Sequence, residues 1–334
     1  MFLTRHPNNP IITPGLHPWR MAAAYNPAAI LHNGEVYLFE RAASSLRPHR
    51  CCIGLLKSSD GVTFKHVIDK PVFTPEMAGL PGGSVQDPRV TRLGNTFYMV
   101  YAVRPYAVHF GQLPDFNMRT FYPAFSGREE DNWSRSGIAV SNDLITWTNH
   151  GFCTPEGWDD RDNMLFPRKI ADRFAMMRRP QWGLFGDMPS AIRLSFSPDL
   201  TNWSDPQVIM TARSGVRWEM AKIGASTPPI LTDKGWLLLY HGVDKETVYR
   251  AGAALLDKEN PCKVLARTVC PILEPLEPYE RTGLFINNVV FPCGAVVKDR
   301  HLWIYYGCSD YTIALATVPM GELLEYLEVC GGAE

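Results

Sequence analysis

The hydrophobic positions of the chain fall in short runs between turn residues, and helix-like spacing is almost absent before the last residues. Such runs are typical of strands. Five of them share one pattern, an apolar core segment that ends in a polar or small residue, and they recur at intervals of roughly 65 residues. Their first core residues are Val36, Phe97, Phe174, Trp236 and Leu302.

Two further predicted strands flank each copy. Upstream, a proline opens a short apolar segment in every copy: Pro27, Pro88, Pro167, Pro228 and Pro292. Downstream, three copies end in an aspartate turn that is followed by an aromatic residue: Asp60, Asp143 and Asp199. Each unit therefore reads as a small antiparallel sheet.

Five such units predict an all-β chain folded as a five-bladed β-propeller, because one blade cannot bury both of its faces unless neighbours stack around an axis. A two-sheet sandwich is the alternative, which the regular recurrence disfavours. We expect one domain over residues 1–334, with a short helix at about 320–330. The second repeat carries an insertion at about 104–133, either an ordinary surface excursion or a lid that contacts substrate.

Equivalent positions of propeller blades lie at equal distances from the central channel. The residue five positions after each first core residue is Arg41, Ala102, Arg179, His241 or Gly307. Two guanidinium groups and an imidazole that converge on one axial funnel suit a tetrahedral anion such as phosphate. Arg161 and Lys222 lie just upstream of their proline segments and could join this site. The alternative is that each arginine pairs with a carboxylate.

The residue before each repeat proline is Asn26, Asp87, Phe166, Thr227 or Phe291, so Asp87 is the single acid of this set. A retaining glycosidase needs two carboxyl groups. One acid suffices when the nucleophile comes from solution. The alternative is that Asp87 only caps the turn into its own strand, beside Arg89.

Composition narrows the function further. The chain has 33 Lys and Arg against 34 Asp and Glu, which gives no bulk attraction to nucleic acid or an anionic membrane. No apolar run approaches the roughly 20 residues of a membrane span, and the start does not resemble a signal peptide. The eight cysteines are scattered apart from one adjacent pair. We therefore expect reduced thiols in a cytoplasmic protein, without a metal site or another cofactor.

Six segments resemble glycoside hydrolase family 130, in the same order and over nearly the whole chain: GSVQDPRV, RDNMLFPRKIADRFAMMRRP, KIGASTPPILTDKGWLLLYHGV, AGAALLDKENPCKV, NNVVFPCGAV and IYYGCSD. This resemblance implies a five-bladed propeller that acts on β-mannosides, mostly by inverting phosphorolysis, although some members are hydrolases. The LFPRKI and RFAMM segments are most similar to the β-1,4-mannooligosaccharide phosphorylases.

The resemblance also implies roles for single residues. Asp87 matches the acid that protonates the glycosidic oxygen through the sugar's 3-hydroxyl. The phosphate-binding candidates are Arg161, Arg179 and His241, with Arg41 and Lys222 lining the same site. The substrate-binding candidates are Asn26, near the mannosyl ring, with Tyr25, Arg89, Asp162 and Tyr249. Asp162 departs from the family pattern, where an asparagine is expected, and would repel phosphate unless it pairs with Arg161 or another cation.

The sequence thus predicts a phosphorylase that converts a β-linked mannoside and phosphate into α-mannose 1-phosphate, with a protonated His241 helping to hold the dianion. Two alternatives stay open: a β-mannosidase in which water replaces phosphate and Asp162 serves as base, and a non-catalytic carbohydrate-binding propeller. The sequence does not fix the linkage, β-1,4 or β-1,2, the acceptor sugar or whether the protein forms a homo-oligomer.

Overall fold

The structure, a computed structural model, describes residues 3–110, 119–122, 132–181 and 190–332. These residues form five antiparallel sheets and one separate two-stranded hairpin. Each sheet contains one of the five core runs as a middle strand. The chain is a five-bladed β-propeller, and the fold class expected from the repeats is confirmed.

The first two blades follow a short N-terminal strand, β1 (Thr4–Arg5). The first blade contains β2 (Ala23–His32), β3 (Glu35–Ala43), β4 (Cys51–Ser58) and β5 (Lys65–His66). The second contains β6 (Ser84–Leu93), β7 (Thr96–Arg104), β10 (Arg135–Ser141) and β11 (Thr148–Phe152). Between β7 and β10 in the chain lies a hairpin of β8 (Ala107–Phe110) and β9 (Arg119–Tyr122).

The other three blades repeat this order from the axis outward. The third contains β12 (Asp160–Leu165), β13 (Phe174–Pro180), β14 (Ala191–Ser197) and β15 (Gln207–Thr211). The fourth contains β16 (Lys222–Ala225), β17 (Ile230–Thr232), β18 (Gly235–Val243), β19 (Tyr249–Leu256) and β20 (Val264–Arg267). The fifth contains β21 (Val290–Lys298), β22 (His301–Cys308) and β23 (Thr312–Pro319), followed by the helix Met320–Cys330.

The ring closes through the N-terminal strand. β1 pairs with β23, so residues from both ends of the chain complete the fifth blade. The first strands β2, β6, β12 and β16 contact one another in this order around the axis, and β21 contacts β2. The sequence pattern did not predict β1, because two residues are too few to show a period. Within the described ranges, the other helices are short: a four-residue α-helix at Pro278–Arg281 and 3-10 turns at Pro18–Arg20 and Arg217–Glu219.

The sequence analysis expected the first strands to begin at the repeat prolines. The structure shows that they do not. Pro27 and Pro88 lie inside β2 and β6, whereas Pro167 follows the end of β12 and Pro228 lies between β16 and β17. A proline cannot donate to the ladder, so inside a strand it is tolerated at a bulge. Both β2 and β6 have a bulge at this place, where two residues oppose one residue of the middle strand.

The residue four positions after the first core residue of each middle strand is buried and carries a polar group in every blade. Its side chain makes a hydrogen bond of 2.7–2.8 Å with another polar side chain. The pairs are Glu40 with Arg20, Tyr101 with Asn149, Arg178 with Asp160, Tyr240 with Glu219 and Tyr306 with Glu280. Such bonds satisfy polar groups that the stacked blades remove from water.

The predicted aspartate turns are present. Asp60, Asp143 and Asp199 each accept hydrogen bonds from the backbone N–H groups two and three residues further along the chain. Among the described residues, no helix is long and apolar enough to cross a membrane. The free thiols of the structure include Cys51, Cys52, Cys153, Cys262, Cys270, Cys293 and Cys308.

We predict that Glu40→Ala destabilises the first blade strongly. Arg20 donates to Glu40 through Nε and Nη2 at 2.8 and 2.9 Å, and both side chains are buried, so the variant leaves an uncompensated guanidinium. The expected loss of unfolding free energy is about 3–5 kcal/mol, measured by urea denaturation. Glu35→Ala is the control on the same strand, because its exposed pair with Lys57 contributes about 1 kcal/mol or less. Equal losses in the two variants would contradict the prediction.

Candidate active site

The inner ends of the blades surround a cavity of about 190 Å³. Strand register explains which side chains reach it, since Arg41 lies opposite Tyr25 in the first blade and Arg179 opposite Arg161 in the third. Ten of the eleven candidates from the sequence line the cavity: Tyr25, Asn26, Arg41, Asp87, Arg161, Asp162, Arg179, Lys222, His241 and Tyr249. Residues that are far apart in the chain are thus brought together at the axis.

Asp87 presents its carboxyl group to the cavity from the bulge in β6. Its φ of 47° lies in the left-handed region, which Asp and Asn tolerate better than most residues. Asn26 Nδ2 and Arg41 Nη1 both donate to Asp87 Oδ1, at 2.9 and 3.0 Å. These two bonds from the neighbouring blade fix one oxygen of the carboxyl group, whose side chain keeps 19% of its surface exposed.

Asp162 is a second carboxylate at the equivalent position, which corrects the expectation that Asp87 has no counterpart. The bulge of β12 falls at Asp162, five residues before Pro167, so aligning the repeats on prolines compared Asp87 with Phe166 instead. Asp162 has a φ of 58° and Asn26, at the bulge of β2, has 44°. Three blades therefore place a side chain with carboxyl or amide oxygens at the same height of the channel.

Asp162 is ionised and paired. Arg179 Nε donates to Asp162 Oδ2 at 2.6 Å, and the same oxygen lies 3.6 Å from His241 Nε2. Burial alone would raise the pKa of this carboxyl group, but the neighbouring cations, above all Arg179, outweigh it and hold the pKa well below its usual range. The sequence analysis expected Asp162 to pair with Arg161 or another cation. Its partner is Arg179.

The surroundings of His241 favour the neutral imidazole rather than the protonated one expected from the sequence. Burial lowers its pKa well below the usual range, and Arg179, Lys222 and Arg89 lower it further, whereas Asp162 opposes them. Its Nδ1 lies 3.3 Å from Ser226 Oγ, and its ring stacks on Tyr249 with centroids 6.0 Å apart. A neutral ring can still donate one hydrogen bond to an anion.

The other cations differ in how far they are neutralised. Arg161 Nη2 donates to Asp159 at 2.6 and 2.8 Å, so this guanidinium has a carboxylate of its own. Lys222 Nζ donates to Tyr249 Oη at 2.6 Å and forms no ion pair with a carboxylate among the described residues. Each arginine candidate of the cavity is paired with a carboxylate, and the same arginines nevertheless converge on one cavity.

Arg179 retains a free donor. Its Nη1 is buried and has no hydrogen-bond acceptor among the described residues. A buried guanidinium N–H without an acceptor costs free energy, so such groups commonly face a ligand site. Five cationic side chains and three carboxylates line the cavity. This arrangement suits an anionic ligand beside a carboxyl group that can transfer a proton.

Arg89 is the one candidate that does not line the cavity. It is buried behind Asp87, where its Nη1 donates to the carbonyl oxygens of Asp87 and Pro88 at 2.8 and 3.2 Å. Its Nε donates to the carbonyl oxygen of Ser226 in the fourth blade. Its contacts are those of a side chain that connects two blades and holds the bulge in place.

Several lining residues were missed by the sequence analysis. They are His49, Gln86, Arg104, Val108, Phe285, Ile286, Val289, Phe291 and Asp310. Asp310 adds a third carboxyl group, and burial, together with Asp87, raises its pKa to about 6 although Arg41 opposes this. Asp310 lies two residues after the end of the middle strand of the fifth blade, outside the repeat positions that were compared. Only the segment IYYGCSD indicated it.

The insertion at 104–133 begins at the cavity. Arg104 and Val108 line it, and Arg104 Nη1 donates to the carbonyl oxygen of Asn132 at 2.7 Å. Asn132 Oδ1 accepts from the backbone N–H of Tyr106 at 2.8 Å, so the two ends of the insertion are tied together. Residues 111–118 and 123–131 lie outside the described residues.

The family model and two similar proteins of Thermoanaerobacter all describe phosphorylases of β-mannosides. The family model for glycoside hydrolase family 130, described as beta-1,4-mannooligosaccharide phosphorylase, matches residues 3–329. The chain is 35% identical to a 1,2-beta-oligomannan phosphorylase of Thermoanaerobacter sp. (strain X514), over 96% of this chain and 98% of that protein. A beta-1,2-mannobiose phosphorylase of the same strain is 36% identical, over 95% and 97%.

A solved structure supports the same assignment. The beta-1,2-mannobiose phosphorylase of Listeria innocua, in complex with beta-1,2-mannobiose, superposes with a TM-score of 0.79 and 26% identity, over 98% of this chain and 100% of that one. The family model and both Thermoanaerobacter relatives extend over nearly the whole chain. The resemblance inferred from the sequence is therefore confirmed, and the chain belongs to glycoside hydrolase family 130.

Proposed function

We propose that this protein is an inverting phosphorylase that acts on a β-linked mannoside and inorganic phosphate, and releases α-mannose 1-phosphate. One observation carries the proposal: a single cavity holds both the Asp87 carboxyl group and the buried Arg179 guanidinium with its free Nη1. The first group can protonate a leaving oxygen, and the second can hold an anionic nucleophile. The names of the family relatives support the same chemistry.

The proposed reaction is a single displacement. The bond between the anomeric carbon and the glycosidic oxygen breaks as a phosphate oxygen attacks from the opposite face, so the configuration inverts. Asp87 supplies the proton that the leaving oxygen takes, by way of the sugar's 3-hydroxyl as in the family. The attacking hydrogen phosphate loses its own proton as its oxygen becomes the bridge, which restores the carboxyl group. No covalent intermediate with the enzyme is needed.

The cations have distinct parts in this proposal. Arg161, Arg179 and Lys222 hold the phosphate oxygens, and neutral His241 donates one further hydrogen bond. Arg41 donates to Asp87 and so orients the acid. Asn26, Tyr25 and Tyr249 provide polar and aromatic surface for the mannosyl ring. Arg89 acts by holding the Asp87 bulge rather than by touching substrate.

Hydrolysis is the weaker candidate. The carboxylate that would serve as base, Asp162, is buried and bonded to Arg179 at 2.6 Å. A base must accept a proton from water, and a carboxylate whose pKa is held far below its usual range accepts one poorly. A purely carbohydrate-binding propeller is weaker still, because nothing in sugar binding requires an unpaired arginine donor in the cavity.

The proposal includes both β-1,4- and β-1,2-linked mannosides as substrates. The sequence segments are most similar to β-1,4-mannooligosaccharide phosphorylases, and the family description names the same linkage. The two Thermoanaerobacter relatives, which match over nearly the whole chain, are named for β-1,2 linkages. Both substrates therefore belong in one assay. A cytoplasmic location and a homo-oligomer stay predictions.

We predict phosphate-dependent turnover. Incubation with β-1,4- and β-1,2-mannobiose should yield mannose 1-phosphate only when inorganic phosphate is present, and comparison of the two rates identifies the linkage. Asp87→Asn should lower kcat by about 10²- to 10⁴-fold, because it removes the acid. Free mannose formed at the same rate without phosphate would mean a hydrolase, and sugar binding without turnover would mean a binding module.

We also predict that the contribution of His241 to phosphate binding is independent of pH. Because the pKa of His241 is lowered, the ring is uncharged at about pH 6.5 and at about pH 8.5. The ratio of the phosphate KM of His241→Gln to that of the wild type should then be the same at both values. Taking the ratio cancels the titration of phosphate itself. A ratio that is clearly larger at the lower pH would show a protonated imidazole.

A further inference from the structure

A thiol contacts Arg41, the arginine that donates to Asp87. Neither the repeat pattern nor the family resemblance singles this thiol out. Cys51, the first residue of β4, is fully buried, and its sulfur accepts from Arg41 Nε at 3.3 Å. His49 Nε2 lies 3.3 Å from the same sulfur and 3.0 Å from Tyr25 Oη. The sulfur is therefore enclosed by a guanidinium and an imidazole that both reach the cavity.

These contacts fix Arg41 from two sides. Nη1 donates to Asp87 Oδ1 at 3.0 Å, and Nε donates to the sulfur of Cys51. The ring of Tyr25 lies below, with its centroid 4.5 Å from the guanidinium carbon. The planar guanidinium thus has one defined orientation, with Cys51 on the side away from the acid. Without the sulfur, Nε would have no acceptor there and the side chain could rotate away from Asp87.

The charges around the sulfur favour this contact. Burial raises the pKa of the Cys51 thiol, but Arg41 and His49 outweigh it and lower the pKa to about 6. The other groups near this cluster are Tyr25 and the carboxyl groups of Asp87 and Asp310, which lie around Arg41. A thiolate at Cys51 would offset part of the positive charge of Arg41 on the side away from Asp87.

We propose that Cys51 is a positioning residue for the reaction: its sulfur, held by His49, orients Arg41 so that Nη1 meets the carboxyl group of Asp87. The proposal rests on the proposed function, in which Asp87 is the acid. Cys51 touches neither substrate nor phosphate in this scheme. Its effect should therefore fall on the chemical step and not on the binding of phosphate, whose cations lie mainly on the third and fourth blades.

Kinetics of Cys51→Ala test this separation. We expect kcat to fall about tenfold, the size of a modest misplacement of a catalytic group, with the phosphate KM within about twofold of the wild type. Cys51→Ser restores a hydrogen-bond acceptor and should recover most of kcat. Cys153→Ala is the matched control, since Cys153 is buried too but its thiol donates to the carbonyl oxygen of Ser136 away from the cavity. Equal losses of kcat in the two alanine variants would reduce Cys51 to a packing role.

A double-mutant cycle shows whether Cys51 acts through Arg41. In the Arg41→Ala background, Cys51→Ala should cause no further fall in kcat, because the group that it orients is gone. The same fall in both backgrounds would overturn the proposal. Wild-type kcat in Cys51→Ala would overturn it as well.

A spectroscopic titration tests the contact without reference to activity. The ultraviolet absorbance of the thiolate, taken as the difference between the wild type and Cys51→Ala, should titrate with a midpoint near 6. In Arg41→Gln the midpoint should rise, because the neighbouring cation is lost. An unchanged midpoint would refute the proposal even if the protein proved to be a hydrolase, whereas absence of phosphorolysis with the expected shift would refute only the proposed function.

Discussion

Cations buried at the inner ends of the blades require carboxylates beside them, and this requirement determines the rest of the site. The side chains of Arg41 and Arg179 extend from the middle strands to the cavity and are only 11% and 4% exposed, so an unpaired guanidinium there would cost several kcal/mol. The partners come from bulges in the first strands, Asp162 in the same blade as Arg179 and Asp87 in the blade beside Arg41. A bulge leaves one residue outside the hydrogen-bonded ladder and redirects its side chain. The bulges therefore allow these aspartates to reach the arginines in the cavity.

The same bulges connect the site to the stability of the blades. In the third blade, Arg178 and Arg179 are consecutive and point to opposite faces of β13. Arg178 binds Asp160 among buried groups, whereas Arg179 binds Asp162 at the cavity. Two ion pairs thus hold one bulge from both faces. This explains how a non-glycine residue is kept in the left-handed region at a functional position, since the surroundings and not the residue's own preference determine its conformation.

Much of the fold could be predicted from the sequence, because apolar runs that recur five times and aspartate turns that recur three times are local signals. The middle strands and the residues that they direct to the axis follow from this repeat. The register of the first strands could not be predicted, because Pro167 lies beyond the bulge in the third blade whereas Pro27 and Pro88 lie within theirs. That one offset hid the equivalence of Asp162 with Asp87. Asp310 and Cys51 were missed because their importance comes from neighbours on other strands, which no local pattern records.

The charge pattern of Arg179 explains how a carboxylate and an anion site can share one cavity. A guanidinium carries several donors in a fixed fork, so one edge can serve Asp162 through Nε while Nη1 points elsewhere. Phosphate therefore need not displace Asp162 in order to reach the arginine. Asp162 instead holds the fork in place, and it keeps the pKa of His241 from falling still further. Lys222, which has no carboxylate partner among the described residues, adds the positive charge that the paired arginines no longer supply. An ionised Asp162 is thus compatible with binding an anion and poorly suited to activating water, and for this reason phosphorolysis fits the site better than hydrolysis.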